Sequence, residues 1–217
     1  MIKLKKLLRE LAYYDLTSKN PNEVFARSND EFALRISRDI VNAFKSNDKK
    51  HYREIYLDRG NDYAEFVLKV KFIKRPKQEY SHSISGGGQA DQLDLTIEYN
   101  PKMFPAAMNR LVAEIKETLV HEMVHVGQQN FDHMFVIGTR NYGNFEKYWL
   151  SAEEVPAFVQ GLIKRAKVTK QSLDATMEDW YRDNIRQFEF HNVSWPSIKK
   201  VWMAWAQANK DKIKKFT

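Results

Sequence analysis

Apolar and polar residues follow two rhythms along this chain, and each rhythm predicts an element. Residues 2–14 read as a short helix. Residues 22–46 read as a longer one, with Phe25, Phe32, Ile36, Ile40 and Phe44 mostly four apart. From Ala64 to Lys74 the period drops to two. Phe66, Leu68, Val70 and Phe72 face one way and Glu65, Lys69 and Lys71 mainly the other, which predicts a half-buried strand. Leu93, Leu95, Ile97 and Tyr99 alternate with Asp94, Thr96 and Glu98, predicting a second strand that Asn100-Pro101 ends. A helical pattern from Phe104 to Asn130 follows at once. Residues 131–149 read as irregular, with Gly138, Asn141, Gly143 and Asn144 as breakers. Further helices are predicted at about 153–167, 172–190 and 195–215. There is no internal repeat and no clear linker.

The helix over 104–130 carries the chemistry. Met108, Val112, Ile115, Leu119, Met123 and Val126 form one apolar stripe; Ala113, Val120 and Val124 form a second on nearly the opposite side. A helix apolar on two sides is buried. His121, Glu122 and His125 fall in the gap between the stripes, in the run His-Glu-Met-Val-His. This is an H-E-x-x-H motif. Histidines four apart project from one side of a helix, so two imidazole nitrogens can converge on one metal ion. The glutamate lies on the adjoining face, placed to reach a metal-activated water without being a ligand. Burying three polar side chains costs on the order of a few kcal/mol each unless they are paired, and a metal would pair them. The plainer alternative is a buried helix whose histidines hydrogen-bond to backbone carbonyls.

A catalytic zinc site takes three protein ligands and leaves a fourth position open. The longer H-E-x-x-H-x-x-G-x-x-H pattern is absent, because Gln128 and Phe131 stand where it needs glycine and histidine. His133 lies just past the helix. The adjacent carboxylates Glu153 and Glu154, in Leu150-Ser-Ala-Glu-Glu-Val-Pro-Ala-Phe158 at the start of the next helix, are the stronger candidates. Here the chain resembles the gluzincin branch of the zincin metallopeptidases, the thermolysin-like enzymes. These carry H-E-x-x-H on one helix and a zinc-binding Glu near the start of a later one, often as E-x-x-A followed by an Asp or an aromatic. Glu154-Val155-Pro156-Ala157-Phe158 matches that form; Glu153 would put Pro156 where the alanine belongs. The run from His121 to Gln129 is also similar to small bacterial and phage zincins in which H-E-x-x-H is followed by V-x-Q-Q.

The resemblance spans roughly residues 90–165. It implies zinc held by His121, His125 and Glu154, with Glu122 as general base in peptide hydrolysis. It also implies that residues 22–46 back the active helix. One departure stands out: Phe158 occupies the position of the Asp that orients a zinc histidine in thermolysin-like enzymes, so that partner must be another group. Glu154 has a rival reading too. Ser151-Ala-Glu-Glu154 has the form of a capping box, with the Glu turned back to the serine amide.

Composition bounds the rest. With 217 residues, 43% hydrophobic and 13% aromatic, the chain has the size and make-up of one ordered globular domain. The expected architecture is α+β and zincin-like: a small antiparallel or mixed sheet packed on an active-site helix and a backing helix. Its catalytic core is expected at about 22–167 and a C-terminal helical extension at about 168–217. No apolar run is long enough to span a bilayer. The basic, amphipathic N-terminus lacks the uninterrupted apolar core of a secretory signal, and a cytoplasmic location is expected. With 0 cysteines, any zinc must use His and carboxylate.

The net charge of +7, with lysines concentrated at the two ends, raises an alternative: a nucleic-acid-associated protein with a structural or degenerate zinc site. Trp195, Trp202 and Trp205 could then stack on bases, although core packing is the commoner role for such residues. Ser85-Gly86-Gly87-Gly88-Gln89 lacks the Lys-Ser/Thr of a phosphate loop. It reads as a flexible connection between strands that could line the cleft, with strand 93–99 as the edge that would bind an extended peptide. The oxyanion of the transition state needs a donor, for which Tyr142, Tyr148 and His191 are candidates.

Overall fold

The computed structural model describes residues 33–42, 55–57, 66–89, 92–130 and 145–211. In chain order these form helix α1 (33–42), strands β1 (Ile55–Leu57), β2 (Phe66–Lys74), β3 (His82–Gln89) and β4 (Gln92–Tyr99), and helix α2 (Phe104–Asn130). Helices α3 (Phe145–Trp149), α4 (Glu154–Thr169), α5 (Leu173–Phe190) and α6 (Trp195–Ala208) follow. The chain is thus α+β with a small mixed sheet. The predicted helix over 2–14, the flanks of the 22–46 helix, His133 and Tyr142 lie outside the described residues.

The strands are ordered β1-β2-β4-β3, with β2 and β4 parallel and the two outer pairings antiparallel. One face of the sheet is apolar. Leu68 and Val70 of β2 and Leu93, Leu95, Ile97 and Tyr99 of β4 are buried, and they share a core with Ile115, Leu119, Met123 and Val126 of α2. Ala33, Ile36, Ile40 and Val41 of α1 complete that core. The opposite face is polar: Lys69 Nζ donates to Gln92 Oε1 at 3.0 Å, and Arg75 pairs with Glu98 at 2.8 Å. Both predicted stripes of α2 are used, since Ala113 and Val120 are buried as well.

Two expectations about the sheet need correction. The glycine-rich run is not a flexible connection; Gly86, Gly87 and Gly88 lie within β3. The strand over 93–99 is not an edge either, since β4 lies between β2 and β3; among the described residues the edges are β1 and β3. The alternation in β4 reports its two faces, and those look alike in an inner and an outer strand. In β3 the inward row is His82, Ile84, Gly86 and Gly88, opposite Tyr99, Ile97, Leu95 and Leu93. Two of those four positions have no side chain, so the period of two is hidden in the sequence. The reason is steric: a Cβ on Gly86 would stand 2.6 Å from Cγ of Glu122, and one on Gly88 would stand 2.7 Å from the Glu122 carbonyl oxygen. The expected irregularity of 131–149 also gives way at its end to the short helix α3, whose Trp149 is buried.

A second apolar core joins α3 to α6. It contains Trp149, Val155, Val159, Leu162, Met177, Trp180, Phe188, Trp195, Ile198 and Trp202. Trp195 and Trp202 are therefore core residues, and the indole N–H of Trp202 donates to the Trp149 carbonyl at 2.9 Å. Among the described residues no helix is long and apolar enough to cross a membrane.

The two cores meet where α4 crosses α2. A Cβ on Gly161 would lie 2.8 Å from the backbone oxygen of Glu117, so only glycine permits this approach. Four residues later Arg165 is buried against the same helix, 2.9 Å from Glu117 and 3.1 Å from Asp183 of α5. Gly→Ala in an exposed helix interior ordinarily gains about 1 kcal/mol. Here Gly161→Ala is expected to destabilise by about 1–3 kcal/mol, because a backbone must move to admit the methyl group. Urea unfolding checks this, and a neutral or stabilising effect would contradict the close crossing.

Candidate metal centre

His121 and His125 are one turn apart on α2, and their rings meet edge to face at 82°. Their Nε2 atoms are 3.2 Å apart. From α4, Oε2 of Glu154 stands 3.4 Å from each of those nitrogens. The three atoms form a nearly equilateral triangle. Four ligands at zinc bond lengths of about 2.0–2.1 Å in a tetrahedron stand about 3.3–3.4 Å from one another. The separations fit that geometry, and the two of 3.4 Å to the carboxylate are longer than good hydrogen bonds. Glu154 is buried at 6% exposure, and its Oε2 has no hydrogen-bond partner among the described residues. A buried carboxylate oxygen without a partner is costly, and a cation supplies what it lacks.

The start of α4 explains why Glu154 is free to face the histidines. Ser151 Oγ accepts from the backbone N–H of Glu154 at 3.2 Å, and the Ser151 carbonyl accepts from Val155 N–H at 3.1 Å. This is the serine half of the expected capping box. The glutamate half is missing, because the carboxylate turns to the two imidazoles instead. Backbone and side chain of Glu154 thus divide the two roles that the sequence set in competition. Helix α4 begins at Glu154, so Pro156 falls in the first turn, where a missing N–H costs little. Glu153 is also buried, but the carboxylate grouped with the histidines is that of Glu154.

Glu122 lies beside the trio, with Oε1 4.0 Å from His121 Nε2. The backbone amide of Gly88 in β3 hydrogen-bonds to its carboxylate. Burial pushes the Glu122 carboxyl up to about 7; His125 and the Gly88 amide act against this, and Glu154 adds to it. A carboxylate at that value can take up and release a proton near neutrality. His121 is held well below the ordinary imidazole value by burial and then by the neighbouring His125, so its ring is neutral. For His125 burial also disfavours the charged form. Glu154, Gln128 and Glu122 outweigh that and hold it above the ordinary value. Without a cation, the proton on His125 compensates the buried carboxylate; a cation would displace it.

Phe158, in place of the Asp of the thermolysin-like pattern, lies with its ring 4.4 Å from that of His121 and stacks on Trp202 at 5.0 Å. The polar partner of a ligand histidine comes from elsewhere: Oε1 of Gln128 is 2.9 Å from Nδ1 of His125. Tyr148 is half-buried on α3, with its ring 6.1 Å from Phe158, and is linked to His121 through that ring. His191 is exposed at the end of α5 and stacks on Phe145 at 3.6 Å. The structure therefore groups His121, Glu122, His125 and Glu154. It sets Tyr148 one ring away and places His191 in an aromatic stack with Phe145.

Sequence reasoning gave Gln128 no role at the site, and it put Gly86 and Gly88 along the cleft only as part of a connection between strands. Gln128 was detectable in principle, since it follows His125 by three residues and so shares its helix face. The glycines carried a signal, but it read as a loop. Comparison with protein-family models, curated proteins and solved structures finds no match for this chain.

Proposed function

We propose that this chain is a zinc-dependent peptidase of the zincin type, with peptides or proteins as substrates. The observation that carries the reading is the triangle of His121 Nε2, His125 Nε2 and Glu154 Oε2, with the Glu122 carboxylate beside it. The donor set is two imidazoles and one carboxylate, which suits zinc and leaves a fourth position open. The order of strands, H-E-x-x-H helix and Glu-bearing helix is what the gluzincin resemblance implies, and α1 shares the core of α2 as a backing helix would.

His121, His125 and Glu154 would hold the ion. Bound there, zinc would polarise a carbonyl and acidify a water molecule. Glu122 accepts the proton of the attacking water as the new C–O bond forms. It keeps that proton on a carboxyl whose burial favours the neutral form, then passes it to the leaving amine nitrogen as the C–N bond breaks. The Gly88 amide favours the charged carboxylate that takes up the first proton. The edge of β3 that no described strand covers runs past Glu122, where an extended peptide could pair by backbone hydrogen bonds. Tyr148, whose ring meets Phe158 beside His121, is the candidate oxyanion donor. The nucleic-acid alternative loses support from the burial of Trp195 and Trp202, and Lys199 is paired with Asp174 and Glu178.

Glu122→Gln keeps the shape of the side chain and removes the base. Cleavage of labelled casein or of a quenched peptide library is expected to fall by about 100- to 10,000-fold while the zinc content is unchanged. Full activity in this variant would rule out the mechanism. A salt-sensitive shift of DNA or RNA, without peptide cleavage by the zinc-loaded chain, would favour the alternative.

Zinc affinity should also depend on pH. The His125 pKa lies above its ordinary value of 6.5, so the ring carries a proton below that raised value and zinc must displace it. Affinity measured against a chelator of known constants is expected to drop by about tenfold per pH unit once the pH is below that raised value, one proton being displaced. An affinity independent of pH from about 7.5 to 5.5 would contradict this.

A further inference from the structure

Gln128 touches both elements that carry the metal-binding side chains. Its Oε1 lies 2.9 Å from Nδ1 of His125, and its Nε2 donates to the backbone carbonyl of Glu153 at 2.9 Å. The glutamine is buried at 5% exposure, so water does not compete for these contacts. Only one proton arrangement satisfies both. A backbone carbonyl can only accept, so the amide NH2 must face Glu153 and the amide oxygen must face His125. That oxygen also can only accept, so His125 must carry a hydrogen on Nδ1. For a neutral ring, this leaves the lone pair on Nε2, the atom facing His121 Nε2 and Glu154 Oε2. The Glu153 carbonyl, whose role as acceptor cannot change, thus fixes both the amide orientation and the tautomer.

The same bond has a second consequence. Glu153 precedes Glu154, and its carbonyl belongs to the first turn of α4. Gln128 therefore anchors that turn to α2 three residues beyond His125, next to the residue whose carboxylate must reach across. We propose that Gln128 is a positioning residue for the metal centre, which selects the ligating tautomer of His125 and ties the Glu154-bearing turn of α4 to the helix that holds both histidines. It fills the place left by Phe158, but from the other side, through His125 instead of His121. The proposal rests on the zinc reading for its purpose; the tautomer and the tether stand on the protein contacts alone.

The test uses the full chain in three forms: wild type, Gln128→Met and Gln128→Glu. Methionine keeps the length of the side chain and loses both contacts. Glutamate keeps an acceptor for His125 Nδ1–H and loses the donor to Glu153. Long-range proton–nitrogen NMR of the metal-free wild type, with the ring neutral, is expected to show His125 as the Nδ1–H tautomer. Gln128→Met is expected to lose that tautomer preference and to bind zinc about 10- to 100-fold more weakly in chelator competition. Gln128→Glu is expected to retain the tautomer but still to bind zinc more weakly than wild type.

An Nε2–H tautomer in the wild type would overturn the proposal, as would zinc affinity unchanged in Gln128→Met. The wild-type tautomer requires no variant, so a misfolded Gln128→Met leaves the test standing. If the wild type takes up no zinc, the metal reading fails, and the tautomer alone then decides whether Gln128 orients His125.

Discussion

The candidate site depends on how closely α4 crosses α2. Glu154 is far in sequence from the H-E-x-x-H motif, and its carboxylate reaches the imidazoles only because the helices nearly touch two turns further along. Gly161 makes that approach possible by offering no Cβ to the Glu117 carbonyl. Arg165, one turn beyond, fixes the crossing by pairing with Glu117 and with Asp183 of α5. Gln128 secures the other end through the Glu153 carbonyl. A buried anion is thus held against two imidazoles by contacts at several points along the crossing. The cost of that burial is the physical argument for a cation.

The sheet acts on the same helix from the other side. His82 of β3 pairs with Glu114, and a Cβ on Gly86 would meet both Thr118 and Glu122. The edge strand and α2 therefore run side by side over two turns, and the glycines bring the strand backbone within reach of the Glu122 carboxylate. A residue with a side chain at position 88 would strike the helix backbone and disturb the amide that holds Glu122. Burial that raises the Glu122 pKa and the hydrogen bond that restrains it thus come from one packing feature.

Much of this was legible in the sequence where periodicity is regular. The two stripes of α2 predicted its burial, and the gap between them placed His121, Glu122 and His125 together. Glu154 was reachable as a ligand only through resemblance, because no local rule connects a helix start to a motif some thirty positions earlier. Its capping role was legible as well, and the structure reconciles the two by splitting backbone from side chain. Glycine misled the reading of β3: a residue with low strand propensity was taken as a connection, whereas its lack of a side chain is what the packing against Glu122 demands. The parallel pairing of β2 with β4 was hidden too, since alternation marks faces and not neighbours. Gln128 entered the reading only as a position where a longer motif needs glycine and as one letter of the V-x-Q-Q run, and neither use asks what its amide touches.

Anomalous diffraction at the zinc edge, from crystals of the full chain grown with zinc, would locate the ion itself. One strong peak is expected within bonding distance of His121 Nε2, His125 Nε2 and Glu154 Oε2. A peak elsewhere, or none with Glu154 turned away from the two rings, would contradict it.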